Sequence, residues 1–377
     1  LGSANPRPVT PSTLFNIFSV GKAYLTIGIL RLVQDGKVRL DEPVATYWPE
    51  FGKKDITVRH VLSHQSGLAN AMPREGTLDT MLDWNGMKKF METTDAEHPA
   101  GQQTKYHYLS FAWLCGGIIE AVTKQPYDQY LKSILTQSDG DDVLHLHTGG
   151  LPEEIESDAL AVLSIVRSDL EGSMDAAAEA AKREKMEKMK QLKAKQEAQS
   201  KEIESVESKD DKKEGEEHKQ VLQKYKGREQ LMNPSVFNMR KVRDAKLPSA
   251  NMHASASSLA KVMDDIITKE HALTTDTIAM AQKQQGEVQG AENALLDDSS
   301  AFFGLGFQVH EFEHEGRKVF SFGHAGLGGS LVICIPDAKL SVAFTTNQLS
   351  QNPATRNTLL KIVFEEFNLK APDSVLR

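Results

Sequence analysis

Several features that define other protein classes are scarce or absent in this chain of 377 residues. There are two cysteines, Cys115 and Cys334, which are too few for a disulfide scaffold and are not spaced as metal ligands. Each lies in an apolar stretch, so we expect both to be buried free thiols. No run approaches the roughly 18 apolar residues that a membrane-spanning helix needs, and no membrane span is predicted.

Positive charge is not in excess either. The chain has 44 Lys+Arg against 52 Asp+Glu, which gives a formal net charge of -8. Because a nucleic-acid-binding face needs clustered positive charge, no nucleic-acid partner is predicted. At Leu1 the chain lacks an initiator Met, a basic leader and an apolar leader segment. We therefore expect it to be the C-terminal part of a longer protein.

The composition changes abruptly after about Ser168. The 50 residues from 171 to 220 contain 12 basic and 14 acidic side chains and no aromatic ones. Such a segment cannot bury enough apolar surface to order as a core. We predict a discontinuous globular domain, residues 1–168 and 226–377, interrupted at 169–225 by a charged insertion that is helical or disordered. A partner-binding coiled coil is the alternative interpretation of the insertion.

The apolar pattern of the remaining sequence changes from helical to β-rich along the chain, which indicates an α+β domain. Apolar periodicity predicts helices at residues 25–33, ending before Gly36, and at residues 111–122, while Thr57 can cap a short helix. The last third changes to short β-rich runs separated by turn residues, at 304–309, 318–322, 330–335 and 341–346, followed by a helical pattern at 353–367. We therefore expect an antiparallel sheet flanked by helices.

A serine and a lysine stand three residues apart where the first of these helices begins. Residues at this spacing share a helix face, so the amine of Lys22 can reach the hydroxyl of Ser19. Serine is a weak nucleophile until a neighbouring base takes its proton, and the pair is therefore a candidate catalytic centre. The same spacing recurs at Ser258 and Lys261. No tyrosine follows that second pair, and we interpret Ser258 as a polar residue on a helix face.

Ser19 and Lys22 are followed in order by Tyr106-His107-Tyr108 and by His324-Ala325-Gly326. This order resembles the serine β-lactamase-like hydrolases of the class C β-lactamase, DD-peptidase and esterase type, whose motifs run S-x-x-K, Y-x-N or Y-x-x, and K-T-G or H-x-G. Residues 56–68 are similar to the T-x-R-H-L-L-x-H-x-S-G-L segment of that family. The resemblance covers nearly all of the chain outside the charged insertion.

The resemblance implies a β-lactamase/transpeptidase-like fold and a Ser19 acyl-enzyme. Lys22 and Tyr106 would share the proton transfers, and His324 would complete the catalytic set. For Tyr106 to act as a base near neutrality, positive charge from Lys22 would have to lower its pKa by about three units. No cofactor and no metal are implied.

The resemblance also implies an oxyanion hole. Backbone N–H groups, those of Ser19 and Leu327, would hold the oxyanion, and Gly326 would allow the substrate to approach closely. Two strands normally precede the nucleophile helix in this family, and we expect them to be missing here.

Two departures from the family pattern bear on the substrate. Tyr108 stands where relatives have an asparagine that binds the substrate amide, and His324 stands where many have the lysine of K-T-G. A histidine titrates near about 6.5 and is a poorer anchor for a carboxylate than lysine. We therefore expect small-molecule esters, or small amides and peptides, to be better substrates than β-lactams.

Residues 106–117 look similar to one branch, in which the hydrolase-like domain follows a ubiquinone-biosynthesis-type atypical kinase. No kinase motif occurs in this sequence, so a fused kinase would lie upstream of Leu1. The alternative to an enzyme is a catalytically weak or inactive scaffold module that is fused to, or associated with, such a kinase. The oligomeric state is not predicted.

Other chemically suggestive residues have structural interpretations. His64 and Ser66 belong to the H-x-S-G-L segment, where we expect structural hydrogen bonds. His145 and His147 have the spacing of metal ligands but lack the H-x-H-x-D-H run of metallo-hydrolases, and we interpret them as a surface pair. The sequence Gly304-Leu305-Gly306 lacks a third glycine and predicts the start of a strand rather than a dinucleotide site.

Overall fold

The computed structural model describes residues 8–135, 144–155, 157–165, 234–269, 272–285, 301–350 and 352–376. The chain divides into two units, one formed by Leu1–Ser164 with Pro234–Arg377 and the other by Ile165–Asn233. The charged insertion predicted at 169–225 lies outside the described residues, so its character and the proposed domain boundaries stay predictions. Within the described ranges, no helix has both the length and the apolar character needed to cross a bilayer.

Helices dominate the first part of the chain and recur after residue 234. Their bounds are α1 Gly21–Gln34, α2 Val44–Tyr47, α3 Val58–Leu62, α4 Leu78–Leu82, α5 Trp84–Thr93, α6 Ser110–Thr123, α7 Tyr127–Leu135, α8 Arg240–Arg243, α9 Ala256–Thr268, α10 Thr275–Ala281 and α11 Ala354–Glu366. The predicted helices are found: α1 ends before Gly36, whose φ is 69°. Thr57 caps α3, where its hydroxyl accepts a hydrogen bond from the His60 N–H. Most of α1 and α6 is buried, as their apolar runs predict.

The strands are short. Their bounds are β1 Phe15–Asn16, β2 Leu146–His147, β3 Ser164–Ile165, β4 His253–Ala254, β5 Ala301–Phe303, β6 Gln308–His314, β7 Arg317–Phe320, β8 Phe322–Ala325, β9 Leu331–Ile335, β10 Leu340–Phe344, β11 Gln348–Leu349 and β12 Leu369–Lys370. The main sheet is antiparallel with the order β10-β9-β8-β6-β12, and β5 and β7 also pair with β6. The expected α+β class with an antiparallel sheet is confirmed.

The two faces of the main sheet are covered by different helices. Leu331, Ile333 and Ile335 of β9 pack with Leu360 and Phe364 of α11. Because successive residues of a strand point to opposite faces, Cys334 points the other way, and its thiol contacts the Met263 carbonyl in α9. Cys334 is buried, as is Cys115 in α6, so the prediction of two buried free thiols is confirmed.

The predicted start of one strand is wrong. Residues 304–307, predicted as the first part of a strand, form a turn that separates β5 from β6. Gly306 has a φ of 68°, and a Cβ atom there would come within 2.0 Å of the Thr26 hydroxyl oxygen. The close approach of this turn to α1 therefore requires glycine, which the β-rich composition of the segment did not indicate.

Candidate active site

Ser19 lies in a single 3-10 turn, Phe18–Val20, directly before α1. Phe18 has a φ of 47°, a left-handed conformation that is uncommon for a bulky residue. Its N–H donates to the side-chain oxygen of Asn16 at 2.9 Å, which stabilises the sharp bend. The N-cap of α1 is Val20. Ser19 is therefore held by a strained turn ahead of the helix and does not act as its cap.

Lys22 is fully buried in the first turn of α1. Its Nζ lies 2.9 Å from the Ser19 hydroxyl oxygen and 3.2 Å from the Ser249 carbonyl oxygen. Burial lowers the pKa of Lys22 well below its usual value, and the nearby Cys115 thiol offsets this only in part. A neutral amine at this position can donate an N–H to Ser249 and still direct its lone pair at the Ser19 proton.

Tyr106 stands over the same amine. The Lys22 Nζ lies 4.8 Å from the centroid of its ring, and Phe303 stacks on the ring at 5.9 Å. Burial raises the pKa of the Tyr106 hydroxyl, and its hydrogen bond with Ser19 offsets this only in part. The lowered pKa that a base role would require is not found, because desolvation outweighs the hydrogen bond with Ser19. Tyr106 is a protonated phenol at neutral pH.

His324 reaches the site from β8. It pairs with Val332 in β9 and is buried, and its ring centroid lies 6.0 Å from that of Tyr106. Its Nδ1–H donates to the Ala325 carbonyl at 2.7 Å. Burial lowers the pKa of His324 to about 3, and the charge of Lys22 adds to this effect. The buried Nε2 has no hydrogen-bond partner among the described residues, so His324 presents a neutral ring with a free acceptor.

The loop after β8 meets the segment that carries Ser19. A Cβ atom on Gly326 would come within 2.5 Å of the Ile17 carbonyl oxygen, and the Gly326 N–H donates to Ser330 at 2.7 Å. Ser19 lies two residues after Ile17, and Leu327 directly follows Gly326. The two predicted oxyanion donors therefore lie on segments that touch.

Tyr108 completes the predicted set. Its half-buried ring has its centroid 5.7 Å from the Lys22 Nζ, so the amine lies against two tyrosine rings. The structure thus brings together the side chains that the sequence placed in one site, which are Ser19, Lys22, Tyr106, Tyr108 and His324. Gly326 and Leu327 border this group through the contact with Ile17.

Two contributors were missed by the sequence analysis. One is the Ser249 carbonyl on Lys22, which no motif can indicate because every residue carries a carbonyl. The other is His107. Its ring Nε2 accepts a hydrogen bond from the Ser66 hydroxyl at 2.6 Å, and its backbone N–H donates to the His64 Nδ1 at 3.2 Å. The rings of His64 and Tyr106 lie 5.0 Å apart. His64 and Ser66 therefore make structural hydrogen bonds behind Tyr106, as expected.

The remaining candidates do not form a second site of this kind. The Ser258 hydroxyl accepts from the His145 N–H at 2.8 Å, and Lys261 pairs with Asp265. His145 and His147 are half-buried beside and in β2, so both keep part of their surface exposed, which is compatible with the predicted surface pair. Pairing of β2 with β4 covers this segment.

Comparison with known proteins gives a family and a fold. A family model described as beta-lactamase matches residues 2–363. The chain is 25% identical to esterase/beta-lactamase LipL of Mycobacterium tuberculosis over 346 residues, which are 88% of this chain and 69% of that protein.

Two solved structures share the fold at lower identity. A penicillin-binding protein homolog from Caulobacter crescentus superposes with a TM-score of 0.64 at 23% identity, over 93% of this chain and 82% of that one. EstA from Arthrobacter nitroguajacolicus superposes with a TM-score of 0.66 at 20% identity, over 96% of this chain and 87% of that one.

Proposed function

The chain belongs to the beta-lactamase family and is a serine hydrolase, and we propose that Ser19 is its nucleophile, with Lys22 and Tyr106 as the groups that transfer protons. The observation that carries the proposal is the 2.9 Å contact between the Lys22 Nζ and the Ser19 hydroxyl oxygen. Both side chains are buried, and the amine is held at a second point by Ser249. This is the arrangement of an activated serine.

In the acylation step, the neutral amine of Lys22 takes the Ser19 proton as the hydroxyl oxygen adds to the substrate carbonyl carbon. Burial supports this role, because the pKa of Lys22 is lowered and the amine loses its own proton more readily. The carbonyl oxygen becomes an oxyanion, which the N–H groups of Ser19 and Leu327 would stabilise.

Collapse of this intermediate requires a proton on the leaving group. Tyr106 is suited to donate it, because burial raises its pKa and keeps the phenol protonated. The protonated Lys22 amine, which lies 4.8 Å from the centroid of the Tyr106 ring, then returns a proton to the phenolate. Water then attacks the Ser19 ester, the same groups carry its proton, and the carboxylic acid leaves with Ser19 regenerated.

We propose esters, or small amides and peptides, as substrates in preference to β-lactams. Burial lowers the pKa of His324 to about 3, so this residue offers no cation to the carboxylate of a β-lactam near neutral pH. Tyr108 places a ring, and not an amide, beside Lys22. The relative LipL is named as an esterase/beta-lactamase, which supports testing the two activities side by side.

The test combines labelling with kinetics. A small fluorophosphonate should label the wild-type protein at Ser19, as read by peptide mass spectrometry, and should not label Ser19→Ala. The value of kcat/KM for p-nitrophenyl acetate should exceed that for a chromogenic cephalosporin. Faster turnover of the cephalosporin would contradict the substrate proposal, and equal labelling of Ser19→Ala would contradict the nucleophile.

The alternative is a catalytically inactive module associated with, or fused to, an atypical kinase. Tyr108 favours it, because a substrate-binding asparagine is replaced by a residue that cannot serve in the same way. Absence of both labelling and turnover in the folded wild-type protein would select this alternative.

A further inference from the structure

Three large apolar side chains that are substantially exposed lie on separate segments near the proposed nucleophile. They are Val162, Met239 and Leu327, with exposed fractions of 53%, 43% and 46%. Single exposed apolar residues are ordinary, but a group of them beside a reactive centre indicates a binding surface. We name these three residues the apolar rim.

The segments of Val162 and Met239 are joined by a pair of hydrogen bonds. The Leu163 N–H donates to the side-chain oxygen of Asn238 at 2.9 Å, and the Asn238 amide donates back to the Leu163 carbonyl at 2.9 Å. Each partner is the immediate neighbour of a rim residue. This reciprocal pair therefore fixes the separation of the two rim segments.

The turn between β10 and β11 connects Val162 to Leu327. The Asn347 amide donates to the Val162 carbonyl at 2.7 Å, and the Ser164 N–H donates to the Asn347 carbonyl at 2.8 Å. Two residues later, Leu349 packs on the backbone beside Leu327: a Cβ atom on Gly328 would lie 2.2 Å from its Cδ2. The three rim residues thus border one region.

The rim segments meet the segment that carries Ser19 at two places. The rings of Phe237 and Phe18 meet edge to face with their centroids 5.1 Å apart, and Phe18 directly precedes Ser19. On the other side, Gly326 contacts the Ile17 carbonyl, and Leu327 follows Gly326. A substrate whose carbonyl carbon lies at Ser19 can therefore extend onto the rim.

We infer that the apolar rim binds the aliphatic chain of an ester substrate and makes the enzyme select for longer chains. The inference rests on the proposed function, and it adds the specificity-determining residues. The three side chains are uncharged and offer only apolar contact. Each substrate methylene group that they cover should raise kcat/KM by up to about fourfold. The chain can lie on the acyl or on the alcohol side of the scissile bond.

Two substrate series distinguish these sides. In the acyl series, kcat/KM is measured for p-nitrophenyl acetate and octanoate, and in the alcohol series for ethyl and octyl acetate. In one of the two series, the ratio of kcat/KM for the long-chain substrate to kcat/KM for the short-chain substrate should exceed one. It should fall by about fivefold or more in Val162→Thr and in Met239→Gln, which keep the side-chain size but add polarity. Ile362→Thr on α11, where the native side chain is 60% exposed, is the matched control and should keep the ratio.

An unchanged long-to-short ratio of kcat/KM in both rim variants would overturn the inference. If light scattering then showed that these variants change oligomeric state, the rim would be assigned to contact with a second copy of the chain. Labelling of wild-type Ser19 by a small fluorophosphonate distinguishes failure of the rim inference from failure of the proposed function. A labelled enzyme without chain-length selectivity overturns the rim alone, whereas an unlabelled one overturns the proposed function together with it.

Discussion

Gly326 lies directly against the carbonyl oxygen of Ile17, so that a Cβ atom on residue 326 would come within 2.5 Å of that oxygen. The contact joins the end of β8 to the backbone directly before the 3-10 turn that carries Ser19. Because backbone contacts leave little room for adjustment, it fixes the positions of Ser19 and Leu327 relative to each other. The geometry of the proposed oxyanion hole therefore depends on a missing side chain.

Gly326→Ala should reduce kcat/KM for p-nitrophenyl acetate by about 100-fold or more, because the added methyl forces the two segments apart. The control is Gly316→Ala, where φ is 73° and nothing lies within 4 Å of the added atom. That variant should lose some stability by strain and retain its activity. Wild-type kinetics in Gly326→Ala would show that the close contact has no role in catalysis.

Lys22→Met should abolish acylation while leaving the fold intact. It removes the proposed base, which typically contributes about 10²–10⁴-fold, and also removes an amine whose charged form is disfavoured by burial. The rate of fluorophosphonate labelling should fall accordingly, and the thermal midpoint should not. Lys261→Met, in the other serine–lysine pair, should label at the wild-type rate. Comparable labelling of both variants would remove Lys22 from the mechanism.

The pH profile of kcat/KM should show a broad plateau through neutrality. Activity should rise as Lys22 loses its proton, and the lowered pKa of Lys22 moves this rise to lower pH than an exposed lysine would give. It should fall only when Tyr106 ionises, and the raised pKa of Tyr106 places this limb at strongly alkaline pH. Tyr106→Phe should lose the alkaline limb. A wild-type rate that declines steadily from pH 7 to 9 would argue against these roles.

Three buried histidines should make the fold sensitive to mild acid. Burial lowers the pKa of His107 to about 4 and those of His253 and His324 to about 3. The unfolded chain takes up protons below about pH 6.5 and the folded chain does not, so stability is lost as the pH falls. At pH 5 each histidine should destabilise the fold by about 2 kcal/mol.

The thermal midpoint should therefore drop markedly between pH 7 and pH 5. His253→Asn should flatten this dependence, because one proton acceptor is removed from the unfolded chain. A midpoint that stays constant over this range would mean that these histidines are not held neutral by the fold.

The charged insertion should be dispensable for catalysis. Leu163 and Asn238, near its two ends, are hydrogen-bonded to each other, so the chain returns close to the point where it departs. Replacing residues 169–225 by a short Gly/Ser linker should keep the thermal midpoint and the hydrolysis of p-nitrophenyl acetate. Collapse of the midpoint in this variant would show that the segment belongs to the fold.

Local spacing predicted the contact between Ser19 and Lys22, whereas Tyr106 and His324 were placed with them by the resemblance to a family. The Ser19–Lys22 contact follows from helix periodicity, and the capping of α3 follows from Thr57, because both are local relationships. The α+β class likewise follows from the change of apolar period along the chain.

Nonlocal contacts could not be predicted in the same way. The Ser249 carbonyl reaches Lys22 across 227 positions, and a backbone acceptor leaves no trace in composition. The pKa of Tyr106 was expected to fall and instead rises, because the sequence shows the neighbouring charge but not the desolvation. The turn at Gly306 was missed because its glycine is needed for a contact with α1.

The left-handed backbone of Phe18 limits how this chain can be made more robust. A bulky residue at a φ of 47° costs on the order of 1 kcal/mol or more, which glycine or asparagine would relieve. Phe18 is also fully buried, and removing its ring would leave a cavity that costs about 3–5 kcal/mol and would end the contact with Phe237. Selection for heat resistance should therefore keep phenylalanine at residue 18 and improve stability elsewhere in the chain, so the strained turn beside Ser19 should persist in thermostable variants.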